Sequence, residues 1–303
     1  MDRRTFFLKS IGASVAAGAY LTFGKYNELF AYPPTPFDLV AVKGGEPDIM
    51  FDKGIEALGG MKAFVKKGQK VVVKPNIGWD VPPERAGNTN PKLVARIISH
   101  CLNAGAKEVY VLDHTCDEWT RCYKNSGIEK AVNDAGGKIA PGSSENYYND
   151  VTIPNGKTLK KTKEHELILN ADVFINVPIL KSHSGTSLTI AMKNLMGNVW
   201  DRRYWHRTDL HQCIADFATY RKPDLNVVDA YSVMKANGPR GVSVDDVVLM
   251  KAQLLSTDIV AVDAAAAKLF GMKPEDIGYI QIASDMKVGR MDLDKLNIKR
   301  ITV

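Results

Sequence analysis

Short apolar segments alternate with stretches of helical periodicity along most of the chain, and this alternation is the strongest constraint on the fold. Residues 71–73 form a β-branched run, and Asn90 and Pro91 are suited to begin the helix that follows. Residues 109–112 form a second apolar run, which precedes a helical stretch over residues 127–134. Strands that alternate with helices build parallel sheets covered by helices on both faces. The sequence therefore predicts an α/β fold with a mostly parallel sheet and a Rossmann-like lobe.

The second half of the chain continues this pattern after one polar interruption. Residues 147–163 are polar and contain turn residues, which predicts a hairpin or a smaller excursion from the main lobe. Asp258 is placed to cap a long apolar helix that Gly271 ends. No linker divides the segment, so we predict a single α/β domain, of one or two lobes, over residues 38–290. Further strands are predicted at residues 171–178, 226–230 and 247–255, and a further helix at residues 188–196.

The first 31 residues have the composition of an export signal. Arg3 and Arg4 are followed by Phe6 and then by a mildly apolar run, residues 11–23, that is rich in Ala and Gly. This run is short for a bilayer span, which takes roughly 20 residues. The Arg-Arg-x-Phe start resembles twin-arginine signals, which implies the twin-arginine export machinery as a partner, cleavage near Ala31 and a periplasmic or otherwise exported mature chain. A membrane anchor and a buried first helix are the alternatives.

Composition and cysteine spacing exclude several classes of protein. The 303 residues are 45% hydrophobic and 24% charged, which excludes wholesale disorder, and we expect no transmembrane helix in the mature chain. The net charge of +6 comes without a nucleic-acid-binding signature, so we expect no nucleic-acid partner. The four cysteines lack Cys-x-x-Cys spacing, so we expect no iron–sulfur cluster. Cys116 and Cys122 can form a disulfide, and Cys101 or Cys213 can also take part in one. Buried free thiols are the alternative.

Polar side chains with chemical capacity gather where the apolar strands end. In open α/β sheets, ligands bind outside the carboxyl ends of the strands. Strand ends also carry polar residues for turn geometry alone, which is the alternative at each single position. Because several strands converge, we predict a ligand site at their ends. Its candidate residues are Lys74 and Asn76 after the first strand, Asp113 and His114 after the second, Asn176, Lys181 and His183 after the third, and Asp229 and Asn237 after the next.

The segment 180–187 is rich in Ser and also contains Gly and Thr, and it leads into the predicted helix that bears Lys193 and Asn194. A helix N-terminus with free backbone N–H groups attracts anions, and Lys181 and Lys193 add positive charge. We therefore predict a small anionic molecule as the ligand. The alternative is a hydroxyl-capped helix with two solvated lysines.

Residues 200–207 are aromatic and cationic. They suit a lid over an anionic ligand, or equally a surface that faces a membrane or a partner protein. His206 and His211 are candidate metal ligands, although their i, i+5 spacing is not the i, i+4 spacing of paired helical ligands.

Several motifs resemble the domain-of-unknown-function family 362, over residues 38–290. The family's activity is not generally established. Many members carry a ferredoxin-like iron–sulfur module, whose cysteines this chain lacks. The motifs are Lys74-Pro75-Asn76, the strand and loop of residues 171–183, and Lys193-Asn194-x-x-Gly197.

The spacing of ten positions between His183 and Lys193 also resembles, more distantly, a pattern of the nickel-pincer lactate racemase family. That resemblance implies a metal-pincer nucleotide cofactor anchored on Lys193, with His183 and His114 as acid and base. It implies a nickel ligand at His206 or His211.

Together, these features predict an exported, cofactor- or metal-dependent enzyme that acts on a small anionic metabolite. Histidine suits proton transfer near neutral pH, and lysines hold a carboxylate or a phosphate. The alternatives are a non-catalytic protein that binds a metabolite or a metal, and an accessory protein of a periplasmic redox or assembly pathway.

Overall fold

A computed structural model of the chain describes residues 36–303. The predicted export signal, residues 1–31, lies outside these residues. The described part contains one ten-stranded mixed sheet and a separate two-stranded sheet. The strands are β1 (Leu39–Lys43), β2 (Lys70–Pro75), β3 (Glu108–Val111), β4 (Lys138–Ile139), β5 (Tyr148–Thr152), β6 (Lys161–His165), β7 (Val173–Val177), β8 (Ile179–His183), β9 (Ser187–Thr189), β10 (Leu225–Met234), β11 (Val247–Ser256) and β12 (Ile298–Thr302). The α-helices are α1 (Pro47–Ala57), α2 (Pro91–Asn103), α3 (Trp119–Asn125), α4 (Ile128–Asp134), α5 (Glu166–Leu169), α6 (Ala191–Asn194), α7 (Arg202–Arg207), α8 (Leu210–Ala218), α9 (Ile259–Phe270) and α10 (Gly278–Asp285).

The central strands form a parallel, Rossmann-like half of the large sheet. Strands β4, β3, β2, β7 and β10 are neighbours in this order, and each adjacent pair is parallel. The chain builds outward from β2 to β3 and β4, and then returns to add β7 and β10 on the other side of β2. The strand order therefore reverses between β2 and β7, and the carboxyl ends of these strands form the switch point at which such sheets bind ligands. The predicted α/β fold with a mostly parallel sheet is confirmed.

Further strands extend the sheet beyond β10. Strand β11 is antiparallel to both β10 and β1, and β12 runs parallel to β1 at the edge. A short branch is formed by β8, which pairs in parallel with β10 and antiparallel with β9. This branch carries Lys181 and His183 away from the end of β7. The polar segment 147–163 forms most of the β5–β6 hairpin, as predicted.

Helices cover both faces of the sheet because the central strands are apolar on both faces. Val71 and Val73 of β2 pack in one core with residues of α1 to α4, whereas Val72 packs in a second core with residues of α5 to α10. The capping signals in the sequence are confirmed at two helices. Asn90 accepts a hydrogen bond from the first turn of α2, and Asp258 does the same at α9. No helix within residues 36–303 is long and apolar enough to cross a membrane.

The helix predicted over residues 188–196 is confirmed only in part, because helical structure begins at Ala191 rather than at residue 188. Strand β9 occupies its beginning, and α6 is a single turn that continues into a short 3-10 helix, Leu195–Asn198. The backbone N–H groups of Ala191 and Met192 donate to the two carboxylate oxygens of Asp263, at 2.7 and 3.0 Å. The free N–H donors predicted for an anion are therefore used inside the protein. Anion binding at this end of the helix stays a prediction, and it would depend on the lysine side chains rather than on these two N–H groups.

The four cysteines are all free thiols. Cys101, Cys122 and Cys213 are buried, and Cys116 is exposed. The possible disulfide pairings therefore do not form in this structure, and the alternative of buried free thiols describes three of the four residues.

Helix α3, which precedes α4, was not predicted, because its sequence lacks a clear apolar stripe.

We predict that Asp263→Asn lowers the free energy of unfolding by about 1–3 kcal/mol, because a carboxamide has one acceptor oxygen for two buried N–H donors. The measurement is urea denaturation at neutral pH. Asp134→Asn is the matched control, since it changes an exposed carboxylate on α4 and should cost at most about 0.5 kcal/mol. Equal effects of the two substitutions would contradict the anchoring role of Asp263.

Candidate functional site

The carboxamide of Asn194 joins the strands on both sides of the switch point. Its Oδ1 accepts hydrogen bonds from Lys74 Nζ at 2.9 Å and from Asn76 Nδ2 at 3.0 Å. Its Nδ2 donates to the backbone oxygen of Lys74 at 3.2 Å and to Asn176 Oδ1 at 2.9 Å. Strand β2, strand β7 and helix α6 are thus held together by one side chain. The structure brings together four of the residues predicted from the strand ends and the following helix.

Lys74 also forms a buried ion pair with Asp113, which follows β3. The distance from Lys74 Nζ to Asp113 Oδ1 is 2.8 Å, and Asp113 Oδ2 accepts from the backbone N–H of Ile77 at 2.6 Å. Burial lowers the pKa of Lys74, and the charge of Asp113 opposes this effect. The two charges compensate each other, so this pair leaves little net charge for a ligand.

The buried amides of the site are saturated by hydrogen bonds within the protein. Asn176 Nδ2 donates to Ala191 O and to Asn226 Oδ1, both at 3.0 Å, in addition to its bond with Asn194. Both donors of each amide are therefore in use. Lys74, Asn176 and Asn194 form a frame behind the switch point, and direct contact of these three residues with a cofactor stays a prediction.

Lys181 and Lys193 differ from this frame because they are buried cations without an anionic partner. Lys181 Nζ donates to Asn76 Oδ1 at 3.2 Å and to the backbone oxygen of Gly87 at 2.5 Å. Lys193 is 8% exposed, and its Nζ bonds to the thioether sulfur of Met196 at 3.4 Å. Within residues 36–303, no carboxylate forms an ion pair with either ammonium group. Burial lowers the pKa of Lys181 to about 7 and that of Lys193 to about 8. A bound anion would therefore stabilise the charged form of both.

The two predicted catalytic histidines are held in different tautomers by the backbone. His114 Nδ1 lies 2.9 Å from the backbone oxygen of Val199, which can only accept, so Nδ1 carries the proton and Nε2 has the free lone pair. His183 Nδ1 accepts from the backbone N–H of Gly185 at 2.9 Å, so its neutral ring carries the proton on Nε2. His114 can thus take a proton, and His183 can donate a hydrogen bond.

Burial and positive charges keep both rings neutral. Burial lowers the pKa of His183 to about 3, with further contributions from Lys193 and Lys181. Burial also lowers the pKa of His114, with a contribution from Arg202. A neutral imidazole near cations is suited to polarise an oxygen or to accept a proton from carbon.

The aromatic and cationic segment 200–207 forms one wall of a cavity of about 1030 Å³. The ring of Trp200 stacks on His114 with centroids 4.9 Å apart, and Arg202 donates to the backbone oxygens of His114 and Thr115. The opposite wall is formed largely by the β5–β6 hairpin, including Lys161. The segment therefore holds His114 in place and borders the cavity that leads to it.

The predicted metal ligands lie on separate helices. His206 is exposed on α7, and His211 on α8 stacks on Tyr279 with centroids 6.1 Å apart. Among residues 36–303 there is no group of three or more His, Cys, Asp and Glu side chains that could hold a metal ion. Metal binding by His206 and His211 stays a prediction, as does a pincer cofactor on Lys193.

Some residues have roles that the sequence did not reveal, and others lie apart from the site. Cys116 lines the cavity and is not among the candidate site residues, whereas Arg202, which also lines it, belongs to the segment 200–207 predicted as a lid. Asp229 accepts from the backbone of Asn90 and Tyr231. Asn237 donates to Asp246 and is not joined to the network.

Gly197 has no room for a side chain beside the ion pair. A Cβ at this position would overlap the Asp113 carboxylate and lie 2.6 Å from Lys74 Nζ. We predict that Gly197→Ala separates Lys74 from Asp113 and lowers the free energy of unfolding by about 1–3 kcal/mol, measured by urea denaturation. Gly78→Ala is the control, because its Cβ would meet its nearest neighbour at 3.6 Å. The steric argument fails if Gly197→Ala is no more destabilising than the control.

Two known proteins are similar to parts of this chain. The chain is 28% identical over 231 residues to a thylakoid-associated protein of Synechocystis sp., which corresponds to 74% of this chain and 70% of that protein. Among solved structures, the lactate racemase apoprotein from Thermoanaerobacterium thermosaccharolyticum is similar over 82% of this chain, with 11% identity and a TM-score of 0.44. The chain spans 60% of the length of that structure.

A family model also matches the region that contains the site. It is the model described as Domain of unknown function (DUF362), and it matches residues 71–268. The match includes strand β7 and nearly all of β2. It also includes Lys181, Lys193, His114 and His183. The chain therefore belongs to the DUF362 family.

Proposed function

We propose that this protein is an enzyme that binds a small metabolite bearing a carboxylate or phosphate and transfers a proton at the bound molecule. The observation that carries the proposal is the pair of buried ammonium groups, Lys181 and Lys193, that have no carboxylate partner in the described part of the chain. Buried charges are costly unless they are paired. A ligand anion between or beside the two lysines would supply the missing partner.

The histidines supply the reaction in this proposal. The free Nε2 lone pair of His114 accepts a proton from the ligand, and the Nε2–H of His183 stabilises negative charge that develops on a ligand oxygen. Arg202 and Trp200 position His114 by holding its backbone and its ring. The cavity of about 1030 Å³ is lined by His114 and opens this histidine to solvent.

We predict that anion affinity falls as pH rises through the range 7 to 8. Binding requires protonated lysines, and the lowered pKa values of Lys181 (about 7) and Lys193 (about 8) mean that both lose their charge in this range. The ligand carboxylate stays ionised throughout. Titration calorimetry with acetate, pyruvate and inorganic phosphate at pH 6.5 and 9 measures this change. Near pH 8, binding should also take up protons, seen as a dependence of the binding heat on the buffer.

Methionine variants test the assignment of the two lysines, since Met keeps the apolar stem and removes the charge. Lys181→Met and Lys193→Met should each weaken binding about tenfold or more, and Lys130→Met, which removes an exposed cation on α4, should not. Circular dichroism verifies that each variant folds. Tight binding that is independent of pH, or equal binding by all variants, would refute the anion site.

Solvent exchange separates an enzyme from a binding protein. In deuterium oxide, a panel of 2-oxo and 2-hydroxy acids should gain deuterium beside the carbonyl or carboxylate carbon. His114→Gln should abolish this exchange with little change in binding, because its task is to accept the proton. Binding without exchange for every acid would favour a non-catalytic metabolite-binding protein.

We also propose that the chain is exported by the twin-arginine pathway, supported by Arg3, Arg4 and the apolar run that follows. The thylakoid association in the name of the Synechocystis relative is compatible with a protein that leaves the cytosol. Replacing Arg3 and Arg4 by Lys should retain the protein in the cytoplasm of its host. Cell fractionation measures this outcome, and continued export of the double variant would remove the twin-arginine assignment.

A further inference from the structure

We propose that two copies of this protein pair antiparallel to each other along the free edge of β11, residues 247–250, and so join their sheets across a two-fold axis. The inference does not depend on the proposed function, because this edge carries none of the candidate site residues. Three features carry it: an unpaired strand edge, exposed apolar side chains on both faces of that edge, and the order of charges along it.

The first residues of β11 have no strand partner on one side. Strand β1 pairs with residues 252–255, and the last backbone hydrogen bond between the two segments runs from Gly44 N–H to Lys251 O at 2.8 Å. Within residues 36–303, residues 247–250 pair only with β10. Lys251 has a φ of 48°, at the point where the register with β10 shifts. Such a bulge bends a strand, which separates residues 247–250 from β1 and leaves backbone N–H and C=O groups open to another strand.

The same edge carries apolar side chains that are exposed on both faces of the strand. Val248 and Leu249 are 49% and 58% exposed, and as consecutive strand residues they point to opposite faces. A membrane or a flat partner would cover one face and could not pair with the backbone. An added strand covers both faces and satisfies the open N–H and C=O groups. The partner with the fitting chemistry is therefore an extended strand.

A second copy of this edge complements the first in shape and in charge. In an antiparallel pair centred on Val248, the two Val248 side chains face each other, and Leu249 of each copy faces Val247 of the other. The same register places Lys251 of each copy opposite Asp245 of the other. Asp245 is exposed and forms no ion pair within residues 36–303, and the one ion pair of Lys251 there is 3.9 Å long. The edge is thus self-complementary, which is the requirement of a two-fold interface.

Sedimentation equilibrium of the full chain tests the pairing. The paired segment is short and the interface small, so the dimer should dissociate at about 10–100 µM. Val248→Lys places two ammonium groups opposite each other and should leave the protein monomeric up to about 500 µM, because like charges directly opposite destabilise a strand pair. Tyr204→Lys is the matched control, since Tyr204 is 44% exposed on α7, and it should dimerise like the wild type. Circular dichroism verifies that both variants fold.

Two results of this experiment would overturn the proposal. One is a wild-type chain that stays monomeric over the whole concentration range. The other is a dimer that Val248→Lys does not weaken, because the contact would then lie elsewhere on the molecule.

Cysteine cross-linking tests the register. In a Cys116→Ser background, which removes the exposed native thiol, Val248→Cys should form an intermolecular disulfide on mild oxidation. Residues directly opposite in an antiparallel pair have Cα atoms about 4.5–5.5 Å apart, within the range of a disulfide. Tyr204→Cys in the same background should not cross-link. A dimer that fails to cross-link through Val248→Cys would overturn the proposed pairing.

Hydrogen exchange distinguishes a second copy from another segment of the same chain. The backbone amides of residues 247–250 that point away from β10 should exchange more slowly as the protein concentration rises through the dissociation range. Slow exchange that is independent of concentration, in a monomeric protein, would assign the edge to a strand from the same chain and overturn the dimer.

Discussion

The four hydrogen bonds of the Asn194 carboxamide determine the geometry of the site. Strands β2 and β7 are neighbours in the sheet, and their pairing includes Lys74 and Asn176 and ends at Pro75 and Val177, after which the chain continues into separate loops. Asn194 bridges Lys74 and Asn76 on one side to Asn176 on the other. It comes from a single helical turn, and Asp263 on α9 fixes that turn through two hydrogen bonds. The position of Lys193, one residue before Asn194, follows directly from this arrangement.

The polar groups near the switch point form two sets. In one set the groups satisfy one another within the protein, and in the other the charges lack a carboxylate partner among residues 36–303. Lys74, Asp113 and the buried amides satisfy one another, which is the usual condition for polar groups in a core. Lys181 and Lys193 have hydrogen bonds to neutral oxygen or sulfur atoms, and no carboxylate among residues 36–303 forms an ion pair with them. A protein that needed these lysines only for stability would gain more from an apolar residue of similar size. Their retention as buried cations beside a compensated frame is the physical argument for a ligand.

The sequence predicted where the site lies better than which groups are free to act in it. Parallel strands bring their carboxyl ends to one edge, so Lys74, Asp113 and Asn176 were expected to converge from the strand pattern alone. Whether a polar side chain is saturated depends on partners distant in sequence. Lys74 and Asn194 are far apart in the sequence, as are Ala191 and Asp263. No local sequence pattern therefore reveals that these residues form hydrogen bonds.

The error over residues 188–196 has the same origin. Leu188, Ile190, Met192 and Leu195 fit a helical stripe, but alternate residues of the same run also fit a buried strand that ends in a turn. Tertiary contacts decide between these structures. The pairing of β9 with β8 and the carboxylate of Asp263 select the strand and the single turn, and they use the N–H donors that an anion would have needed. The positive charge for the proposed anion would therefore come from side chains rather than from a helix terminus.

In the proposed function, this source of charge makes anion binding depend on the protonation of the two lysines. A helix terminus attracts anions at any pH, whereas a buried lysine does so only while it is protonated. With a lowered pKa of about 7 for Lys181 and about 8 for Lys193, the free protein near neutrality carries less charge in the site than two ordinary lysines would. A bound anion would raise both pKa values and draw in protons, so binding and protonation would reinforce each other. In the free state, a partly neutral pair reduces the cost of two like charges in one buried site. The same groups can therefore be stable without a ligand and strongly attractive with one.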